Sequence, residues 1–253
     1  MSVLLEGRRA LVTGAGSGIG REAAKVCARE GARVGVLDID SDAARRTVSE
    51  VEAAGGDALA LIADLTNEVA VEAAVAEAAA AWGGLDCVIG CAGVQLAGQD
   101  DRADRLSLDV WRRTLDINLT GMFLISKHGI RELLRTGGGT VVLVCSPTGL
   151  FGCAPGYDAY STSKAGVYGL VRVMAADYGQ ENIRVNGVVP GYTRTPMTEW
   201  VTPEEHEALL ETIPLRRAGQ PEEVAETIAF LASDRTPYVT GAVWSADGGM
   251  TAI

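Results

Sequence analysis

Two residues of types that exchange protons stand four apart in Tyr160-Ser-Thr-Ser-Lys164, at the start of a long helical stretch. Positions four apart share one helix face, so the Lys164 ammonium can approach the Tyr160 phenol. A neighbouring cation favours the phenolate, which makes the phenol a general acid/base for an alcohol oxygen. The pair taken alone is also what an exposed helix face offers by chance. A second group of residues handles phosphate. Thr13-Gly-Ala-Gly-Ser-Gly-Ile-Gly20 follows an apolar run and opens a helical one. Glycine permits positive φ and lets the backbone approach a ligand closely, while the helix start presents free amides to a pyrophosphate. A third element is Asp38, closing Arg33-Val-Gly-Val-Leu-Asp38 about 20 residues beyond the loop, as a dinucleotide fold requires. A carboxylate there accepts the adenosine ribose hydroxyls and repels a 2′-phosphate. No Lys or Arg lies within residues 15–19 or directly after Asp38, so NAD is expected over NADP. Asp40 competes for the role two residues on, but Asp38 adjoins the apolar run. Asp64, after a third apolar run, is placed to accept a hydrogen bond from an adenine amino group.

Short β-branched runs and long Ala-rich stretches must position these groups. Seven strands are predicted at residues 8–12, 33–37, 58–62, 86–89, 140–144, 184–189 and 239–245. They are nearly all apolar, as strands covered on both faces are. Helices are predicted at 19–30, 42–54, 68–81, 108–134, 159–178 and 221–232, the last opening on Pro221-Glu-Glu, which suits a first helical turn. Strand–helix alternation with right-handed crossovers gives a doubly wound parallel sheet with helices on both faces, in one domain spanning 1–253. Residues 192–219 break the rhythm with four prolines or tryptophans (Pro196, Trp200, Pro203, Pro214) and a weakly amphipathic stretch at 204–213. An insertion at the carboxyl end of a strand is placed to cover a ligand crevice as a small lid, although a plain surface excursion has the same composition.

A net charge of −11 disfavours nucleic acid and anionic membrane as partners, since both need a basic face. No apolar run is long enough to span a bilayer, and the start, Met1-Ser-Val-Leu-Leu-Glu-Gly-Arg-Arg, lacks the layout of a signal peptide. Five cysteines (27, 87, 91, 145 and 153) form no Cys-x-x-Cys pair and sit among apolar or small residues, which reads as reduced, mostly buried thiols in a cytoplasmic protein. With only His128 and His206 available, both expected on the surface or a helix face, neither a histidine metal site nor a histidine triad is expected.

These motifs, in this order along the whole chain, resemble the short-chain dehydrogenase/reductase family. The resemblance implies that Gly14, Ser17, Gly18, Ile19 and Gly20 of the loop hold the cofactor, with Asp64-Leu65 at the adenine and Ala92-Gly93 after the fourth strand. It implies that Pro190-Gly-Tyr-Thr-Arg-Thr195-Pro holds the nicotinamide carboxamide, through Pro190, Gly191, Thr193 and Thr195. Asp247-Gly-Gly matches the C-terminal signature. Asn118, Ser146, Tyr160 and Lys164 then form a catalytic tetrad. Ser146 orients the substrate oxygen, Tyr160 exchanges its proton, Lys164 holds the cofactor ribose and assists the tyrosine, and Asn118 supports a water chain to solvent. The implied activity is hydride transfer between NAD and a secondary alcohol or ketone.

Three departures from the family pattern bear on the site. The usual Asn-Asn-Ala-Gly is here Gly90-Cys91-Ala92-Gly93, so other partners must replace the lost amides. Ser146 precedes Tyr160 by 14 residues where 13 is commoner, and the extra residue is expected to bulge within 153–158. Pro147 biases Ser146 toward an extended backbone. Substrate choice is expected to rest on Gln95, Leu96, Ser146, Thr148, Cys153, Tyr157, Tyr192, Met197 and Trp200, a polar and aromatic set that favours a neutral ring, sugar or polyol over an acyl-carrier substrate. Residues 119–128 and 246–252 are similar to members that oxidise alicyclic or sugar alcohols, and small members assemble as homotetramers or dimers. Two rival readings are an NADPH-dependent 3-oxoacyl reductase of the same fold, which Asp38 opposes, and a non-catalytic nucleotide sensor, which the intact tetrad opposes.

Overall fold

The computed structural model describes residues 3–252; Met1 and Ser2 of the N-terminal reading, and Ile253, lie outside the described residues. Seven parallel strands form one sheet: β1 (Arg9–Thr13), β2 (Arg33–Asp38), β3 (Asp57–Ile62), β4 (Cys87–Gly90), β5 (Gly139–Val144), β6 (Ile183–Pro190) and β7 (Val243–Ala246). Their order is β3-β2-β1-β4-β5-β6-β7. The chain therefore winds outward from β1 in one direction and from β4 in the other. Ligands in such sheets bind where the winding reverses, beyond the carboxyl ends of the strands.

Within each strand alternate side chains supply opposite faces. Ala10 and Val12 join one core layer and Leu11 the other; Val142 and Val144 join the first, Val141 and Leu143 the second. The first layer packs under α1 (Gly18–Arg29), α2 (Ser41–Ala53) and α8 (Pro221–Ala232), and the second under α3 (Glu68–Trp82), α5 (Gly121–Thr136) and α6 (Asp158–Tyr178). This two-sided burial is why the strands read as continuous apolar runs. The apolar residues of α6 are mostly intramolecular core: Val167, Tyr168 and Val171 are buried in the second layer.

Two elements differ from expectation. The stretch at 108–134 is not one helix. It comprises α4 (Leu108–Leu115), a π-helical turn at Asp116–Thr120 and then α5. Wider turns of this kind often mark functional sites, and this one carries Asn118. The last strand is also shorter than expected. Residues 239–242 run beside β6 ahead of β7: Arg184 Nη1 and Asn186 Nδ2 donate to the Val239 carbonyl and Thr240 Oγ1 accepts from Val185 N, while Gly241 N and Ala242 O make main-chain bonds to Val185 O and Gly187 N.

Residues 192–219 leave β6 and return to Gly219, where main-chain bonds pinch the base shut (Arg194 N to Gly219 O, 3.0 Å; Gly219 N to Tyr192 O, 2.9 Å). The excursion contains α7 (Pro203–Glu211). Its start is set by a capping box in which Thr202 Oγ1 accepts from Glu205 N and Glu205 Oε2 accepts from Thr202 N. No helix among the described residues is long and apolar enough to cross a membrane.

Candidate active site

A cavity of about 1250 Å³ opens beyond the carboxyl ends of the strands. At one end the loop between β1 and α1 forms its floor. Gly14 has φ +62°, and a Cβ there would lie 2.7 Å from Ala92 Cα, so only glycine lets the loop after β1 and the loop after β4 meet. Gly18 has φ +52°, and its missing Cβ would project to 3.4 Å from Thr195, across the gap between the two walls. Ser17 begins α1 without a side-chain hydrogen bond to the helix amides, whereas Asp40, Asn67 and Ser107 cap α2, α3 and α4. These free amides beside a glycine-lined gap fit a dinucleotide pyrophosphate.

The acids at this end are now distinguished. Asp38 lines the cavity; its Oδ2 accepts from Gly16 N (2.8 Å) and its Oδ1 from Asp40 N (3.0 Å), which leaves further lone pairs for a ligand. Asp40 instead accepts from Asp42 N and Ala43 N as the cap of α2, and these backbone amides, Ala43 foremost, hold its carboxyl below the ordinary range. Asp64 lines the cavity and accepts from Thr66 N and Oγ1.

The middle of the cavity holds the candidate reactive groups. Ser146 has the extended backbone expected before Pro147 (φ −159°, ψ 149°). Its Oγ lies 3.1 Å from Thr148 Oγ1, and its carbonyl accepts from Tyr168 Oη at 2.9 Å. Burial pushes the Tyr168 phenol well up, so this donor stays protonated. Lys164 is 3% exposed; its Nζ donates to Val144 O (3.0 Å) and lies 5.9 Å from the Tyr160 ring centroid. Tyr160 is 9% exposed and belongs to the first turn of α6.

Asn118 is fully buried and does not itself line the cavity. Its Oδ1 accepts from Val94 N (2.7 Å), and its Nδ2 donates to Val94 O (2.8 Å) and Ser163 Oγ (3.1 Å). The side chain therefore clamps the loop after β4 onto the π-turn. A Cβ on Gly93 would fall 3.3 Å from Asn118 Oδ1 and 3.4 Å from Lys164 Nζ, so the two groups flank one small gap.

The other candidates fall where the sequence suggests. Ile19, Gly20, Leu65, Gly93, Pro190, Gly191, Thr193 and Thr195 line the same cavity, as do Gln95, Thr148, Cys153, Tyr157, Tyr192, Met197 and Trp200. Leu96 does not; its carbonyl caps the turn to Gln99 and Asp100. Tyr157 and Trp200 pair across the cavity mouth with centroids 6.1 Å apart. The exchange of Asn-Asn for Gly90-Cys91 has a packing reason. A Cβ at Gly90 would sit 2.6 Å from Met122 Sδ, and the Cys91 and Ala92 amides both find Thr13 Oγ1, at 3.1 and 3.2 Å.

Several residues escape sequence reasoning. Asp100 is buried and accepts from Ala159 N (3.1 Å) and Tyr160 N (2.9 Å), capping α6 from a loop some sixty positions away. Glu205 adds a carboxylate to the cavity wall, and Arg112, Arg113, Asp109 and Asp116 line it from α4 and the π-turn. His128 is 3% exposed rather than on the surface, with Nε2 at 3.2 Å from Glu68 Oε1. His206 bonds Tyr192 Oη at 2.9 Å.

This sheet, with a glycine loop at its switch point and a Ser–Tyr–Lys floor, is that of a short-chain dehydrogenase/reductase, and the chain belongs to that family. A family model described as enoyl-(acyl carrier protein) reductase matches residues 14–251. Members are oxidoreductases that bind a nicotinamide cofactor. The chain is 38% identical over 251 residues to cyclohexanol dehydrogenase of Acinetobacter, covering 99% of this chain and 98% of that one. It is 40% identical over 248 residues to cis-4-hydroxycyclohexanecarboxylate dehydrogenase of Sinomonas cyclohexanicum, covering 97% of each. It is 37% identical over 246 residues to a 3-oxoacyl-(acyl-carrier-protein) reductase of Thermotoga maritima, covering 97% and 98%. A solved structure from Beutenbergia cavernae, described as a candidate NAD(P) dependent gluconate 5-dehydrogenase with NADP at low occupancy, superimposes with a TM-score of 0.94, at 33% identity and full coverage of both chains.

Proposed function

We propose that the protein is an NAD-dependent dehydrogenase of neutral secondary alcohols, with an alicyclic ring as the preferred substrate. The observation that carries this reading is the convergence of Ser146, Tyr160 and Lys164 midway along one cavity, with the glycine loop and Asp38 at one end and an aromatic mouth at the other. When bound, the nicotinamide exchanges the hydride. The protein's own side chains manage the oxygen and its proton. Ser146 Oγ, steadied by Thr148, donates to the substrate oxygen, and Tyr160 Oη takes or returns its proton. The buried Lys164 ammonium stabilises negative charge developing on the phenol oxygen and would hold the ribose hydroxyls of a bound cofactor. Asn118 keeps the loop after β4 and the π-turn in register close to Lys164, a position from which it would support a proton relay to solvent.

Asp38 supports NAD over NADP, because a 2′-phosphate would face its carboxylate, and among the described residues no Lys or Arg is hydrogen-bonded or ion-paired to Asp38. Arg45 and Arg46 lie instead over a separate shallow depression on α2. The NADPH-dependent 3-oxoacyl reductase reading keeps support from the Thermotoga relative and the NADP-bound neighbour. Residues 192–219 serve as a substrate lid in this reading. The assembly is read as a homotetramer or dimer in the cytoplasm; Phe123 of α5, Val173 of α6 and Trp244 of β7 remain exposed at 43%, 51% and 36% and suit such contacts.

The test is NADH absorbance at 340 nm, a wavelength set by the cofactor, with NAD and separately NADP over cyclic alcohols, polyols and sugars, and reduction of a 3-oxoacyl thioester with NADPH. Turnover of cyclic alcohols with NAD is expected. Preference for NADP or for the thioester would replace the reading with the reductase one. Tyr160→Phe is expected to keep NAD binding and lose about 10²–10⁴-fold in kcat, the usual contribution of a general acid/base. Retained turnover in that variant would overturn the assignment of Tyr160.

A further inference from the structure

The substrate end of the cavity carries one ionised side chain that no motif announces. Glu205 sits at the third position of α7 and lines the cavity with Ala208, Leu209 and Trp200. Glu205 is exposed to solvent as well as lining the cavity, and its Oε2 accepts from Thr202 N at 2.9 Å, which holds the carboxylate at the start of α7. Its charge reaches the substrate wall: burial first, then Glu205, pushes the Tyr157 phenol up. Among the described residues no cation forms an ion pair with it. The cations that line the cavity are Arg112 and Arg113, which belong to α4 beside Asp109 and Asp116, and Lys164, which is buried against Val144 O. Arg194 acts on Tyr192 but does not line the cavity. Trp200, Met197, Leu209 and Met250 make the remaining wall apolar. A substrate bearing a carboxylate would thus meet a fixed like charge and find no anchor, inside a chain of net charge −11.

We infer that Glu205 is a specificity-determining residue that excludes carboxylate-bearing alcohols, so that the substrate class is uncharged alicyclic alcohols rather than hydroxy acids. The inference rests on the alcohol-dehydrogenase reading above. It separates this chain from the relative named for a hydroxycyclohexanecarboxylate, although the two are 40% identical. Like charges several ångströms apart near a protein surface, partly screened by water, correspond to a discrimination of about fivefold to tenfold.

The experiment compares kcat/KM for cyclohexanol and cis-4-hydroxycyclohexanecarboxylate in the wild type, Glu205→Gln and Glu204→Gln. Glutamine retains an oxygen for Thr202 N, so the capping box and α7 persist. Glu204 is an exposed neighbour on the same helix that does not line the cavity, and it controls for overall charge. The ratio of carboxylate to cyclohexanol efficiency is expected to rise about fivefold to tenfold in Glu205→Gln and to stay put in Glu204→Gln, and at high salt the wild-type ratio should rise toward that of Glu205→Gln because screening weakens the repulsion. An unchanged ratio in Glu205→Gln, or an equal rise in Glu204→Gln, overturns the inference. Binding provides a readout independent of turnover: cyclohexanecarboxylate is titrated against tryptophan fluorescence, with Trp200 in the wall, in the presence of NAD. If no variant oxidises either alcohol yet Glu205→Gln binds the carboxylate more tightly, the dehydrogenase reading falls and the role of Glu205 stands. If neither binding nor turnover responds, Glu205 has no such role.

Discussion

Thiol chemistry separates the five cysteines by burial. Cys27, Cys87 and Cys145 are buried, and Cys91 points into the interior; burial pushes their thiols up, Cys87 to about 11 and Cys91 and Cys145 to about 12. The thiolate is the nucleophile, so these four are inert at neutral pH. Cys153 is exposed at the cavity mouth, where partial burial raises its thiol less severely. Native protein treated with iodoacetamide at about pH 8, near an ordinary thiol's own range, is expected to gain one adduct by intact mass, at Cys153, slowed by a saturating cyclic alcohol. A second adduct before unfolding would contradict this ordering. At this scale legibility depends on how local a residue's job is. Asp38 and Asp40 were separable because one ends a strand and the other stands where a helix cap belongs. Asp100 and Glu205 were not. In Gln99-Asp-Asp-Arg and Pro203-Glu-Glu-His they look like solvated acids, and their partners are contributed by the fold.

Among the elements, α6 carries the reactive pair, and its first turn is anchored from outside. Tyr157 supplies no side-chain cap; Asp100 does so instead, through Ala159 N and Tyr160 N, while Asp158 returns a bond to Ala103 N at 2.8 Å. Removing a cap costs about 1–2 kcal/mol, and about 2–8 °C of Tm for a domain of this size. Asp100→Ala is therefore expected to lower Tm by that amount and, because the lost bond is on Tyr160 itself, to lower kcat more than it raises KM. Asp100→Asn keeps one acceptor and should recover part of both. A variant with reduced Tm but full kcat would make Asp100 a stability cap only. Helix and strand positions were legible because burial on one face or two imposes a period. The π-turn was not, since one extra residue in a 27-position apolar pattern shifts the phase too little to register. The extra residue before Tyr160 was legible as a count; residues 153–157 of the segment expected to hold it are irregular, and Asp158 already opens α6.

Across the whole molecule, chemistry occupies the carboxyl ends of the strands and stability is concentrated at their amino ends. Asp86, just before β4, accepts from Arg9 N at 2.9 Å and from Arg9 Nε and Nη2 at 2.7 Å each, while its main chain bonds Arg9 O and Thr140 N. One residue thus joins three central strands at the edge opposite the site. Burial acts to raise the Asp86 carboxyl, but the Arg9 side chain, the Arg9 amide and the charges of Arg9 and Arg8 outweigh it and hold it below the ordinary range. A carboxyl depressed in the folded state contributes stability that is fully present above its unfolded value, about 3.9, and lost as pH falls through the lower folded value. Asp86→Asn is accordingly expected to cost about 1–3 kcal/mol at neutral pH, the range for leaving a partly buried charged partner unsatisfied. The gap to wild type should hold from neutral pH down to about 5, begin to narrow below about 4, where the unfolded chain's carboxyl takes up its proton, and close only as pH falls through the lower folded value. Urea midpoints by tryptophan fluorescence at neutral pH and at a pH well below the unfolded carboxyl's value measure both. Because Arg9 and Asp86 are 20% and 16% exposed, salt should weaken the gap only slightly. A gap of equal size at both pH values would show that Asp86 acts through packing and neutral hydrogen bonds, and that the carboxylate charge is not what holds β1, β4 and β5 together.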